Sequence, residues 1–359
     1  MKNVLFVSAS LGFGGAAKIL TFVATELSKR GYNVGVVNVN SVSWKTECLQ
    51  KLPENLKVYN VENFGKHKNT SNIKQIVRFA KDFKADMLIG FTSFPNMYAK
   101  IVGTILGIPS IMSERGDPSR LKNKTLKGKL SNWIINRSKG GVFQTDGARK
   151  YYGKGLQKRS VVIPNPIFVK GDVPSVEFND REKSVVSVGR LDNYQKRYDV
   201  MLKAFKLFNQ KHPDYKLKLY GEGPAEQDII KWIKELDITD SVELMGLTKN
   251  SMVDMAKCGM FLITSDFEGI SNSLLEAMAV GLPCVSTDHT PGGARMLIKH
   301  GENGLLAPVE DAEKLADCMC QFAENSELAK NCGEKAREVL TRFSPKKIID
   351  QWENYIKKF

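Results

Sequence analysis

The chain has 359 residues, long enough for two domains, and its 42% apolar and 26% charged content is that of an ordinary folded protein. No run approaches the eighteen apolar residues of a membrane-spanning helix, and Val4–Val7 is too short for a signal-peptide core. The net charge of +14 is uneven: residues 1–180 carry +16 and residues 181–359 carry −2, which implies an anionic partner for the first half alone, whether nucleic acid, anionic lipid headgroups or a diphosphate-bearing substrate.

Along the chain, Val4–Val7 is a continuous apolar run of the kind that forms a buried parallel strand. A glycine-rich turn, Gly12 to Gly15, leads into a predicted helix from Ala16 to Arg30 with Ile19, Phe22, Val23 and Leu27 on one stripe and Gly31 as its C-cap. Val34–Val39, Met87–Ile89 and Ile108–Met112 follow as strands. The same rhythm restarts with a strand at Ser184–Val188, a helix at Val200–Gln210, strands at Leu217–Tyr220, Val242–Leu244 and Met260–Thr264, a helix at Ser273–Ala279 and a strand at Cys284–Ser286. Alternating strands and helices predict parallel sheets covered on both faces, and two such runs predict two Rossmann-like domains. The boundary falls near Ile163–Pro166, where two prolines flank Asn165, and no solenoid repeat or low-complexity tract intervenes.

Six cysteines, Cys48, Cys258, Cys284, Cys318, Cys320 and Cys332, show no paired CxxC spacing and no nearby histidine partners. They read as buried free thiols in a reducing cytoplasm.

The string from Asp266 to Pro283 holds two glutamates, Glu268 and Glu276, on either side of Gly269, Ile270, Ser271, Asn272 and Ser273. Those five residues open a helix, whose free N–H groups favour an anion such as a diphosphate. Carboxylates beside a phosphate site need another task, and accepting hydrogen bonds from the paired hydroxyls of a ribose or a sugar ring is one. An acidic helix N-terminus is the plain alternative for either glutamate alone. Gly189 and Arg190 leave the first strand of the second half, with Lys196 six residues on. An arginine fork and a lysine suit adjacent phosphates, although surface basic pairs usually sit in solvent. Gly14 and Gly15 let a backbone approach a ligand closely, but the spacing is not GxGxxG and no acid stands where a dinucleotide site would place it, so a nicotinamide or flavin cofactor is not expected.

These residues resemble the E-x7-E and G-R-x5-K patterns of the retaining GT-B glycosyltransferases of family four. The resemblance implies an α/β fold of GT-B type, two Rossmann-like domains with parallel sheets facing across a cleft. The first would span 1–166 plus a returning helix at 345–359 and bind the acceptor; the second, 167–344, would bind a nucleotide-sugar donor. By the same resemblance Glu276 holds the nucleotide ribose and Glu268 lies by the donor sugar. Arg190 and Lys196 hold the diphosphate. Gly269 to Ser273, Gly189, Gly221, Leu247 and the Gly14–Gly15 loop complete the donor site. Glu268, Arg190 and Lys196 are the expected catalytic group, with no metal and no cofactor, because no acidic pair of DxD type ends a strand. The family usually carries glycine after the lysine; here Arg197 stands there. It often carries histidine near the donor sugar, whereas His67, His212, His289 and His300 all fall outside the matched motifs. Glu114 and Arg115 resemble the form found in a branch that assembles bacterial surface glycans and lipid-linked oligosaccharides, and Arg115 is expected at the acceptor or diphosphate, with a structural pair as the plain alternative.

Between Arg120 and Lys139, Leu126, Leu130, Trp133 and Ile134 recur at helical spacing among Lys122, Lys124, Lys127, Lys129 and Arg137. Such a helix either packs normally or lies on an anionic membrane. With the domain-wide charge, the reading is a cytoplasmic enzyme at the inner face of the cell membrane. It would move a hexose or N-acetylhexosamine, from a UDP-sugar by preference, to a glycan or lipid-diphosphate acceptor in surface polysaccharide synthesis. A nucleotide-sugar epimerase of the same fold is the first rival. A nucleic-acid-binding protein is the second, and lacks aromatics interleaved with the basic residues.

Overall fold

The computed structural model describes residues 2–12, 15–39, 52–62, 68–120, 125–169 and 171–359. The chain divides into two compact units, Met1–Pro166 with Lys346–Phe359, and Ile167–Pro345.

Unit 1 alternates β1 (Asn3–Ser8), α1 (Gly15–Lys29), β2 (Asn33–Asn38), β3 (Lys57–Asn60), α2 (Lys68–Asp82), β4 (Met87–Phe91), α3 (Ser93–Leu106), β5 (Ser110–Glu114), α4 (Leu126–Ile135), β6 (Gly140–Phe143), α5 (Asp146–Lys150), α6 (Lys154–Lys158) and β7 (Ser160–Val162). Its sheet is parallel in the order β3-β2-β1-β4-β5-β6-β7, with Leu5 registered against Gly35 on one side and Leu88 on the other. β4 is buried at every position and β1 at all but its first, which is why they read as unbroken apolar runs. α1 ends in a Schellman turn. Gly31 at φ +87° lets its own N–H reach the Ser28 carbonyl (3.0 Å) and the Tyr32 N–H reach the Leu27 carbonyl (3.1 Å). The buried arc of α1 is broader than a four-residue stripe, taking in Ile19, Leu20, Val23, Ala24 and Leu27, so Phe22 stands half-buried at its edge.

Unit 2 runs β8 (Glu182–Val188), α7 (Asn193–Lys196), α8 (Tyr198–Lys211), β9 (Lys216–Tyr220), α9 (Glu226–Glu235), β10 (Val242–Gly246), α10 (Ser251–Ala256), β11 (Cys258–Ile263), α11 (Asn272–Ala279), β12 (Cys284–Thr287), α12 (Gly293–Leu297), β13 (Leu305–Ala307), α13 (Ala312–Glu324), α14 (Ser326–Ala336) and α15 (Val339–Arg342). Its parallel order is β10-β9-β8-β11-β12-β13. Strand residues alternate between two cores: Val185, Met260 and Leu262 pack with Phe205 and Phe208 of α8, whereas Val186, Phe261 and Ile263 pack with Leu274 and Met278 of α11. In both sheets the order reverses between the first strand and its fourth, β1/β4 and β8/β11, and that reversal opens a crevice at the carboxyl ends of the strands.

The last helix, α16 (Pro345–Ile356), belongs with unit 1. Trp352 is fully buried and stacks on Phe91 at 6.3 Å between ring centres. The Tyr355 hydroxyl accepts from the Gly141 N–H (2.8 Å) and donates to the Arg159 carbonyl. A Cβ at Gly140 would lie 2.3 Å from that hydroxyl, so the close approach requires glycine. Arg30 at the end of α1 holds Asp350 (2.6 Å) and Glu353 on the same helix. Removing the indole leaves a large hole in a closed core. Trp352→Ala is therefore expected to cost about 3–5 kcal/mol by urea unfolding, with Trp352→Phe recovering most of it.

Candidate functional site

The carboxyl ends of β8 and β11 hold most of the residues singled out in the sequence. After β8 the chain turns through Gly189 and the exposed Arg190, whose side chain makes no hydrogen bond or ion pair among the described residues. Asp192 then caps α7 by accepting from the Tyr194 N–H (3.0 Å), and four residues later α7 ends on Lys196. The Lys196 side chain runs back over Gly189, whose Cβ would sit 3.4 Å from Nζ. Glycine there leaves the path open.

Lys196 Nζ donates to Glu268 Oε1, and the two side chains are only 16% and 11% exposed. Ser265 Oγ donates to the same oxygen (3.1 Å), and the Glu268 N–H is tied to the Thr290 carbonyl (2.8 Å). Burial pushes the Glu268 carboxyl up, but the Lys196 ammonium foremost outweighs it and holds the group below its ordinary 4.5. α7 is docked onto the same loop. The Asp266 N–H reaches the Gln195 carbonyl (3.0 Å), Gln195 Nε2 reaches the Phe267 carbonyl (3.0 Å), and Thr264 Oγ1 closes the end of α7 by donating to the carbonyls of Lys196 (2.8 Å) and Arg197 (3.1 Å). The ion pair is thus held from both sides by backbone.

Arg197, standing where glycine is usual, has φ +54°, in the left-handed region that costs a side chain about 1–2 kcal/mol. Its guanidinium offsets this by binding Asp199 (3.0 Å), Asp266 (2.9 Å) and Glu310, the Asp199 hydrogen bond being the largest of the effects that raise its pKa.

Gly269 to Ser273 lead into α11, whose cap Ser271 accepts from the Leu274 N–H (3.4 Å). Ile270 and Ser271 are buried and Asn272 and Ser273 half-buried. One turn in, Glu276 is half-buried, and Ser251 at the start of α10 donates to its Oε2 (2.6 Å). Glycines let the loops lie on one another: a Cβ at Gly221 would meet the Gly189 carbonyl oxygen at 1.8 Å, and one at Gly293 the Gly269 oxygen at 1.6 Å. The Gly221 N–H bonds the Gly246 carbonyl (2.8 Å), and the next residue, Leu247, is 71% exposed.

In unit 1, Gly15 opens α1 and is exposed, while Gly14 lies outside the described residues. Glu114 and Arg115 are placed otherwise than at an acceptor: both are buried. The Arg115 guanidinium stacks on Phe91 and Trp352, bonds Ser113 Oγ (3.0 Å) and the Ile163 carbonyl (3.2 Å), and forms no ion pair among the described residues, so burial, opposed by the neighbouring Glu114 carboxylate, brings its pKa down to about 9. Glu114 accepts from the Arg115 and Gly116 N–H groups (2.9 and 3.2 Å) and the Tyr152 hydroxyl (3.1 Å). Both serve the interior of unit 1. Arg115 does not stand free for an acceptor or diphosphate, because Trp352 of α16 covers it.

His289 was set aside in the sequence because it falls outside the matched motifs. It is fully enclosed in the same site, and neither ring nitrogen has a hydrogen-bond partner of ordinary geometry. Burial lowers its pKa below the ordinary 6.5, with the Glu268 carboxylate opposing. It is therefore a neutral ring beside the ion pair.

A family model described as Glycosyl transferases group 1 matches residues 171–339. A glycosyltransferase of Haemophilus influenzae is 25% identical, over 99% of this chain and 100% of its own length. An N-acetylgalactosamine-N,N'-diacetylbacillosaminyl-diphospho-undecaprenol 4-alpha-N-acetylgalactosaminyltransferase of Campylobacter jejuni is 31% identical over 253 residues, 69% of this chain and 67% of that one. Among solved structures, Anabaena HepE in complex with UDP has a TM-score of 0.83 at 20% identity, covering 100% of both chains, a likeness in fold of GT-B type.

The depressed Glu268 carboxyl ties unit 2 to pH. A group whose pKa is lower folded than unfolded stabilises fully above 4.5 and loses that contribution as pH falls through its folded value. The melting temperature of Glu268→Gln should lie below that of the parent at pH 7, and the gap should close below pH 4.5. A gap constant across that range would remove the ion pair from the account.

Proposed function

This chain belongs to the group 1 glycosyl transferases, and on that premise we propose that it moves a hexose or N-acetylhexosamine from a UDP-sugar to a glycan or lipid-diphosphate acceptor, with retention of configuration and without a metal. The observation that carries the donor half is the Lys196–Glu268 pair at the β8/β11 crevice, with the unpaired Arg190 and the α11 N-terminus beside it. Arg190 and Lys196 take the diphosphate, and the N–H groups at the start of α11 add partial positive charge. Glu276, set by Ser251, accepts from the ribose hydroxyls. Glu268 keeps Lys196 aimed and faces the sugar. The acceptor hydroxyl oxygen bonds the anomeric carbon as the bond to the diphosphate oxygen breaks. Its proton passes to that leaving oxygen on the same face, so no enzyme carboxylate is alkylated. His289, enclosed as it is, supports Glu268 rather than meeting substrate, so an epimerase gains nothing from it.

The acceptor half draws on the Campylobacter relative, whose name specifies an undecaprenyl-diphosphate acceptor, and on the surface of unit 1. In α4, Leu126, Leu130 and Trp133 are 85, 56 and 55% exposed, and of the helix only Ile135 is buried. The apolar stripe therefore faces solvent instead of packing. Arg137 lies over the Trp133 ring at 3.4 Å, and Lys100 is close enough to Arg137 and Lys139 to feel both. Lys122 and Lys124 lie outside the described residues. An apolar row among cations fits the interface of an anionic bilayer at the inner face of the cell membrane, each cation adding about 1 kcal/mol.

Two measurements test this reading. UDP should raise the melting temperature, and Glu276→Ala should weaken UDP at least tenfold, since one hydrogen bond to a charged group is worth about 1.5–3 kcal/mol. Unchanged affinity would remove Glu276 from the site, and turnover of UDP-sugars that stopped in EDTA would overturn the metal-free step. Co-sedimentation with phosphatidylglycerol vesicles should fall for Leu130→Glu with Trp133→Glu, an exposed pair whose loss leaves the fold intact; equal binding would take α4 off the membrane.

A further inference from the structure

The helices α8 and α13 pack against each other in unit 2 and bring one side chain beside two that lie more than a hundred residues further on. His212 follows α8 directly, and Cys320 and Glu324 stand one turn apart on α13. One ligand atom from each, an imidazole nitrogen, Sγ and a carboxylate oxygen, all lie within 4.8 Å of one another, with His212 Nε2 and Glu324 Oε1 at 3.3 Å. We propose that His212, Cys320 and Glu324 bind a thiophilic divalent cation, of which Zn2+ is the natural candidate.

The donor set selects the ion. Nitrogen, thiolate and carboxylate together suit zinc, whereas calcium and magnesium take oxygen alone. Zinc sits roughly 2.0–2.3 Å from such ligands, so a tetrahedral site needs its donor atoms about 3.3–3.6 Å apart. The histidine–glutamate spacing already meets this. The three donor atoms already lie within 4.8 Å of one another, and Glu324, 61% exposed, is free to turn toward the ion. His212 is the fixed ligand, its ring stacked on Phe208 at 5.0 Å and edge-on to Tyr215 at 6.1 Å. Cys320 is buried, so the sulfur side of the site is dry. A thiolate and a carboxylate balance a dication, and water takes the fourth position.

The site lies far from the donor chemistry in the topology. α8 runs away from the carboxyl end of β8, so His212 comes at the amino edge of the sheet, opposite Gly189 and Arg190. Occupancy would therefore cross-link the end of α8 to α13 without entering the transfer step, and the inference stands whether or not the proposed reaction does.

Cobalt(II) titrated into the full chain supplies the test. One equivalent should produce an intense near-ultraviolet sulfur-to-cobalt band that zinc displaces. Cys320→Ser should lose the band, and His212→Ala and the surface change Glu324→Gln should each weaken cobalt at least about tenfold. Cys318→Ser, on the same helix but outside the triad, should keep the band. No band in the parent chain, or a band surviving in Cys320→Ser, overturns the site. Metal-free melting curves of parent and Glu324→Gln should coincide, separating lost binding from lost folding.

Discussion

Lys196 and Glu268 are both nearly closed to water, and neither charge would be tolerable there without the other. Much of the local architecture of unit 2 follows from keeping that pair together. A four-residue helix delivers the lysine, Thr264 closes that helix, Gln195 stitches it to the glutamate's loop, and Gly293 gives the loop room to sit down. Arg197 then accepts a strained backbone and three acidic partners to lock the same corner. A pair this constrained presents a cation in a fixed place at little further ordering cost. Such a site is preorganised, its ammonium aimed before any ligand arrives.

The fold was largely legible because parallel strands buried on both faces leave continuous apolar runs, and Val4–Val7 and Met260–Ile263 carry that mark. Glu268, Glu276, Arg190 and Lys196 stood out in the sequence because each lies in a fixed-spacing string near a strand end. Their partners did not. Ser251 meets Glu276 across 25 residues and the buried His289 lies near enough to Glu268 to feel its charge, and no local pattern encodes either relation. The direction of α4 was also open, because apolar residues at helical spacing look the same whether they are packed or left bare. Arg115 misled for a related reason. Its motif pointed to an acceptor or diphosphate, but a helix from the far end of the chain lies over it.

That arginine shows how differently the two units manage buried charge. In unit 2 each enclosed cation of the site has a carboxylate. In unit 1 Arg115 is held by two aromatic faces, a hydroxyl and a carbonyl, and its charge is felt as a lowered pKa. The stacking partner Trp352 is also the anchor of α16, so the guanidinium and the last helix hold each other in place.

Because α16 lies beyond unit 2 in sequence yet belongs to unit 1, the two units cannot be completed in the order in which they are made. As the chain leaves the ribosome, the seven strands of the first sheet emerge with Phe91 and Gly141 still uncovered, and stay so while all of unit 2 is synthesised. Unit 2 is contiguous and free to close on its own. The second unit to be made is thus the first able to finish, and unit 1 becomes whole only after unit 2 already stands.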